Sequence, residues 1–249
     1  MLSRNFRLQK VGDINWLQKN YDFSKISFYI DELIILDITG SKRNPELFCE
    51  TLKKLTKGCF VPICAGGGVR TVEYARKLLR SGADKISINT SLFTQPKFVH
   101  ELASEFGQQC VVASVDIKEK NLNGYEIKIE SGSQQVKGNL IDLFKIIDNG
   151  EVGELYLNSI DRDGTGQGYL FPILDFLPPE FTIPVIMAGG AGNAQHFEDG
   201  LNDRRIDAVA TAHLFNFIGD GLQQARNNLI FKGVELAKWP SVEVFHKNI

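Results

Sequence analysis

The chain has 249 residues, of which 43% are apolar, and a net charge of −2 from 28 basic and 30 acidic side chains. That balance, with no basic run or arginine-rich face, argues against nucleic-acid binding. No stretch approaches the roughly 20 apolar residues of a membrane span, and residues 1–7 lack the apolar centre of a secretion signal, so a cytoplasmic protein is expected.

The length suits one (β/α)8 barrel, typically about 250 residues, and the whole chain 1–249 is expected to form that one domain. Residues 13–29 carry Ile14, Leu17 and Tyr21 at helical spacing, with Asp13 as an N-cap. Residues 31–39 are an apolar run of strand length that ends in Asp37 and Thr39. Such a run suits a parallel strand covered on both faces. The alternation then continues: helix 45–57, strand 60–65 ending in three glycines, helix 71–81, strand 85–88, helix 96–106, strand 110–118. Residues 121–138 differ. Tyr125, Ile127 and Ile129 alternate with polar residues, which predicts a small two-stranded excursion at the barrel mouth. A helix over 140–148 precedes a strand over 154–159. A short helix (173–177), a strand (184–188), a helix (194–201), a strand (208–211) and helical sequence from 215 complete the pattern. Regular strand–helix alternation implies parallel strands joined by right-handed crossovers.

Strand 154–159 ends abruptly in an acidic loop, Asp161-Arg162-Asp163-Gly164-Thr165-Gly166. Packing along the strand and chemistry at its carboxyl end is how an active-site rim is built on a parallel scaffold. Arg162 there either faces a substrate or forms a salt bridge within the rim. The chain also repeats itself. Asp37, the loop from Gly66, Asp84 and Phe93 recur as Asp161, the loop from Gly189, Asp207 and Phe215, at offsets of 124, 123, 123 and 122. A repeat this regular implies two fused half-barrels, about 1–120 and 121–235. Each half brings a glycine loop and a small polar loop to the mouth, and exposed N–H groups there suit anions. The first site would use Gly68, Asn89 and Thr90; the second would use Gly164, Gly190, Ala212 and His213. Two such sites suit a substrate with a phosphate at each end.

The four cysteines, Cys49, Cys59, Cys64 and Cys110, form no C-x-x-C pair and are expected to be reduced. Nothing calls for a metal or a cofactor. His100, His196 and His246 read as surface or satisfied residues.

These strings together resemble the cyclase subunit of imidazole glycerol phosphate synthase: Asp31-Glu-Leu-Ile-Ile-Leu-Asp-Ile-Thr39, Ala65-Gly-Gly-Gly-Val69, Gly82-Ala-Asp-Lys-Ile-Ser-Ile-Asn-Thr90, Ser159-Ile-Asp-Arg-Asp-Gly-Thr165 and Ala188-Gly-Gly-Ala-Gly192. The resemblance runs from about residue 5 to residue 232. It implies a (β/α)8 barrel with a glutaminase subunit docked on its amino-terminal face, forming a heterodimer. It also implies ammonia passing through the barrel to a bisphosphorylated ribulosyl nucleotide. By resemblance, Asp116 is one member of a general acid–base pair, Asp163 is a further active-site aspartate, and Gly164 contacts a phosphate. Glu32, Lys85 and Glu154 match charged residues around the ammonia entrance, and Asp84 matches a glutaminase-facing position.

The chain departs from that pattern in places. The family's first strand, with its catalytic aspartate, is expected to be missing or atypical here, and the repeat puts the counterpart of Asp116 about 123 residues earlier, before Met1. Three readings stand: a start lying upstream, residues 3–10 folded back as a makeshift strand, or a paralogue without the first aspartate. Such paralogues work in surface-polysaccharide clusters, where they feed glutaminase-derived ammonia to acetamidino-sugar synthesis. His213 stands where a small hydroxyl residue is usual, Asn158 where Thr is common, and residues 22–27 are an insertion.

Overall fold

The structure is a computed structural model that describes residues 2–4, 6–9, 15–16, 26–120, 124–149, 151–212 and 220–237. Most of the helix expected over 13–29, the insertion up to residue 25, His213 and His246 lie outside those residues. Leu2–Arg4 (β1) and Arg7–Gln9 (β2) pair only with each other, antiparallel, and turn at Phe6, whose φ is +60°. The residues expected as a makeshift barrel strand therefore form a separate hairpin. Its tip is packed: Gly132 faces the Phe6 ring and the Ile160 side chain.

The parallel strands are Leu33–Leu36 (β3), Ile63–Gly66 (β4), Lys85–Ile88 (β5), Val111–Lys120 (β6), Glu154–Ser159 (β9), Val185–Ala188 (β10) and Ala208–Val209 (β11). They lie in the order β11-β10-β9-β6-β5-β4-β3. The expected excursion is present. β6 runs past the barrel rim and pairs antiparallel with Gly124–Ile129 (β7), which pairs with Gln134–Gln135 (β8). The helices are Pro45–Thr56 (α1), Val72–Arg80 (α2), Thr90–Thr94 (α3), Pro96–Phe106 (α4), Leu140–Ile147 (α5), Ala194–Leu201 (α6) and Gly221–Phe231 (α7). The short helix expected over 173–177 is a 3₁₀ segment, Phe171–Phe176. Side-chain caps set several starts. Asn44 accepts from Leu47 N at 3.0 Å, Thr71 from Tyr74 N at 3.2 Å, Asn139 from Ile141 N at 2.8 Å and Asn193 from His196 N at 3.1 Å.

Every second strand residue packs outward on the helices. Ile63, Ile86, Val111, Ala113, Leu155, Val185 and Met187 join Leu52, Leu78, Leu102 and Phe144 in one buried cluster. Each large side chain buried there contributes about 1.5–3 kcal/mol. The alternate residues of each strand face inward, and on β5, β6 and β9 these carry polar groups.

The twofold repeat is present in the hydrogen bonding. Leu33 pairs with Ile63 and Leu155 with Val185, 122 residues further on. Leu33 N donates to Pro62 O at 3.0 Å, and Leu155 N to Pro184 O at 2.8 Å. Ile63 N donates to Asp84 Oδ2 and Val185 N to Asp207 Oδ2, each at 2.8 Å. This register corrects two expected pairings. The counterpart of Asp37 is Ser159, not Asp161, and Gly67 rather than Gly66 answers Gly189. The reason is local: Gly67 sits hard against the Asp37 backbone and Gly189 against the Ser159 backbone, where a Cβ would overlap both.

Among the described residues the sheet has no eighth parallel strand between β3 and β11. Arg226 of α7 spans that seam. It is buried, and its guanidinium makes two 2.9 Å bonds to the carboxylate of Asp31 just before β3. A bidentate Arg–carboxylate pair is the geometry in which an ion pair holds best.

Candidate active site

Asp116 ties together the carboxyl ends of three strands. Alternation along β6 sends Ala113 and Val115 into the core and turns Ser114 and Asp116 inward. Asn158 on β9 is its neighbour by register and donates from Nδ2 to Asp116 Oδ1 at 3.0 Å. Asn89, at the end of β5, donates from Nδ2 to Asp116 Oδ2 at 3.3 Å and to Ser114 O at 2.9 Å. Burial pushes the Asp116 carboxyl up to about 6; the Asn158 hydrogen bond opposes this, and the charge of Asp163 adds to it. A carboxyl in that range can both take and release a proton near neutrality. Tyr156, two residues before Asn158 on the same face, has its hydroxyl pushed well above the usual phenol value by burial, then by Asp116 and Asp163. It therefore stays protonated.

Asp163 is placed by the turn that follows β9. Its N–H donates to Ser159 O at 2.9 Å, and Thr165 Oγ1 donates to Arg162 O at 2.7 Å. Gly164 and Gly166 take φ of +70° and +72° there, which a side chain rarely adopts. Arg162 belongs to the rim: Nη1 donates to Tyr169 O at 3.1 Å and Gly168 O at 3.4 Å, and Nε lies 3.8 Å from Glu119.

The first expected anion loop is braced from below. Ser91 Oγ donates to Val69 O at 2.6 Å, and Thr90 Oγ1 accepts from Glu130 N at 3.1 Å. Glu130 is held in turn by an ion pair with Arg70. The Asn89 side chain is engaged by Asp116, so at this loop Asn89 has its backbone to offer. In the second loop Gly190 has φ of +109° and faces the Gly168 carbonyl, which receives no side chain there without overlap. Gly168 N donates to Gly190 O at 2.8 Å. Gly190→Ala is expected to cost at least about 2 kcal/mol, from left-handed strain added to the overlap, as read from denaturant unfolding. Ala212 is exposed just past β11, and His213 lies outside the described residues.

At the other end of the strands, Lys85 Nζ lies 2.6 Å from Glu32 Oε2 and 2.6 Å from Glu154 Oε1. The structure thus brings together the three residues matched to an entrance ring. Burial raises the Glu32 carboxyl above its usual range, against the pull of Lys85. Glu32 Oε1 and Glu154 Oε2 are buried without a hydrogen-bond partner among the described residues. Asp84, matched to a partner-facing position, has its carboxylate on the Ile63 N–H. It also lines a cleft of about 390 Å³ with Thr56, Phe60, Pro62 and Gly82 at the amino-terminal end of β4.

The sequence reading missed Asn158 as the partner of Asp116, having marked it only as a mild change. Period-two counting from Tyr156 places it on the inner face, which was the available signal. Tyr156, inside the barrel, and Arg43, at the carboxyl end of β3, were missed altogether.

The profile described as "Histidine biosynthesis protein" matches residues 11–219. A protein of Parasynechococcus marenigrum (strain WH8102), provisionally named an imidazole glycerol phosphate synthase subunit, is 43% identical over 240 residues, covering 96% of this chain and 89% of that protein. The chain belongs to the histidine biosynthesis protein family. Within it, the chain stands on the cyclase-subunit branch, as the motifs implied. The match to the family spans Asp116, Asp163, Glu32, Lys85, Glu154 and both glycine loops, so membership rests on the region that holds the site. Among the described residues no helix is long and apolar enough to cross a membrane.

Proposed function

We propose that this chain is a synthase subunit of the cyclase type. In this reading it takes ammonia from a glutaminase partner, as a heterodimer, and acts on a substrate with a phosphate at each end, as in histidine biosynthesis. The chain 1–249 serves as one domain, the barrel with the β1–β2 hairpin beside it. The observation that carries the reading is polarity. A proton-transfer carboxyl, Asp116, stands with Asp163 between two glycine loops at one end, and a Lys85-centred charged ring closes the other.

Asp116 takes or gives the proton as the ring forms, held in place by Asn158 and Asn89. Asp163 tunes it through charge. Gly68 and Thr90 receive one phosphate; Gly164, Gly190, Ala212 and His213 receive the other. The ring of Glu32, Lys85 and Glu154 admits ammonia, and Asp84 with the cleft beside Phe60 faces the glutaminase. The test is turnover of the bisphosphorylated ribulosyl nucleotide with ammonium salts alone. Product formation at a rate that saturates with ammonium is expected, and its absence at high enzyme concentration would count against the reading.

A second reading is favoured by one observation. Lys85 holds Glu32 and Glu154 in one ion-paired ring at the amino-terminal end, a feature a conduit needs whatever chemistry Asp116 performs. In that reading the chain partners a glutaminase and channels ammonia to acetamidino-sugar synthesis. Glutaminase stimulation that is indifferent to Asp116→Asn separates it from the first.

A further inference from the structure

We infer that Arg43 is the charged clamp of the first anion site and closes its guanidinium on the phosphoryl group beside Gly68 and Thr90. The inference rests on the anion-loop reading above and adds to it the one cation that reading lacked. Arg43 follows the 3₁₀ turn Gly40–Lys42 at the end of β3, with its N–H donating to Gly40 O at 3.3 Å. Its side chain runs directly over Gly68. A Cβ at Gly68 would lie 2.6 Å from Arg43 Cδ and 2.7 Å from Nε. Glycine at this position is what lets the guanidinium lie over the loop.

Among the described residues, the buried Arg43 Nε has no hydrogen-bond partner and no carboxylate forms an ion pair with the side chain. The Tyr74 hydroxyl, close enough to feel Arg43 and Asp37, is also buried and unpartnered. Asp37 is not a substitute partner, because its Oδ1 already accepts from Thr39 N at 2.9 Å and Thr39 Oγ1 at 2.6 Å. Buried donors without acceptors are destabilising unless a ligand supplies the acceptor. A guanidinium fork beside a glycine loop matches a phosphoryl group in charge and shape.

The other half of the barrel sharpens the argument. There Arg162 stands against Gly190, but its guanidinium is engaged by Gly168 O, Tyr169 O and Glu119. One glycine loop thus has an unengaged guanidinium over it and the other does not. The two ends of a bisphosphorylated substrate are held unequally, with the tighter grip at Gly68.

Inorganic phosphate is the probe, titrated calorimetrically against the full chain at pH 7.5 for wild type, Arg43→Gln, Arg43→Lys and Thr90→Val. Two binding events are expected. Arg43→Gln weakens the tighter one about tenfold or more, and Arg43→Lys restores part of it, since charge without the fork is a poorer match. If Thr90→Val weakens phosphate binding and Arg43→Gln does not, the clamp is wrong while the anion-loop reading stands. If wild type binds no phosphate, or neither variant changes binding, both fall.

Discussion

Asp116→Asn is expected to lower ammonium-dependent turnover by about 100-fold or more, the usual cost of losing a positioned proton-transfer group. It should leave partner docking intact, because the Lys85 ring does not touch it, and change phosphate binding little, because Asn89 meets Asp116 through its side chain and offers the first loop its backbone. Wild-type rate should show a limb near pH 6, where burial holds the carboxyl. Asp163→Asn should move that limb to lower pH without returning it to the ordinary aspartate value, since burial, the larger cause, remains. The same shift has a stability sign. Asp116 is harder to ionise in the folded chain, so its contribution is fully present below about pH 4 and is lost as pH rises through about 6. The Asn variant has nothing to ionise there, and its thermal midpoint should fall less than that of wild type over the same window. A pH–rate profile and thermal melts between pH 4 and 8 check both statements. An unchanged rate in Asp116→Asn would remove the residue from the chemistry.

Lys85→Met is the second large effect. It leaves Glu32 and Glu154 facing each other inside the barrel with no cation between them, and breaking such a pair from one side costs about 3 kcal/mol or more. The three side chains are about one-fifth exposed, which puts the expected loss at the lower end of that range. Without Lys85 the Glu32 carboxyl should be pushed further up, so the variant loses stability as pH rises from 4.5 toward neutrality. In wild type, Lys85 is itself raised above its usual value even though burial, the largest single influence, opposes this, because two carboxylates stabilise its charge. Its contribution is present below pH 10.5 and disappears as pH climbs beyond its raised value. Urea unfolding of Lys85→Met beside the triple variant with Glu32→Gln and Glu154→Gln tests the cause. The triple variant should recover most of the loss. If it does not, packing rather than charge explains the effect.

Much of the barrel was legible because parallel strands covered on both faces leave a strong local mark. Strand 154–159 and helix 194–201 were read to the residue, and the β6–β7–β8 excursion was visible in the alternation of Tyr125, Ile127 and Ile129. What failed was pairing across distance. Asp37 was matched to Asp161 because both are aspartates at strand ends, but the register is set by backbone bonds, and these put Ser159 there. A carboxylate's identity is written in the sequence; its alignment with a twin depends on where the loop bends. The site was legible where a residue's type announced its chemistry, as at Asp116, Asp163, Lys85 and the glycine loops. It was not legible where the role depends on what stands opposite. Asn158 looked like a small change until register set it beside Asp116. Arg43 carried no signal of its own in the sequence; only its side chain over Gly68 singles it out. No periodicity reports which arginine lacks a carboxylate.

The doubled ancestry of the barrel left its floor lopsided. Glu32 and Glu154 are twins 122 residues apart, but the position answering Lys85 is Ala208, one residue after Asp207 as Lys85 is one after Asp84. Among the described residues two acids thus share a single base, and β11 offers a methyl group where β5 offers an ammonium. The two halves of the floor are therefore not interchangeable: a charge change at residue 85 removes the only ammonium that Glu32 and Glu154 share among the described residues, whereas the same change at residue 208 removes none.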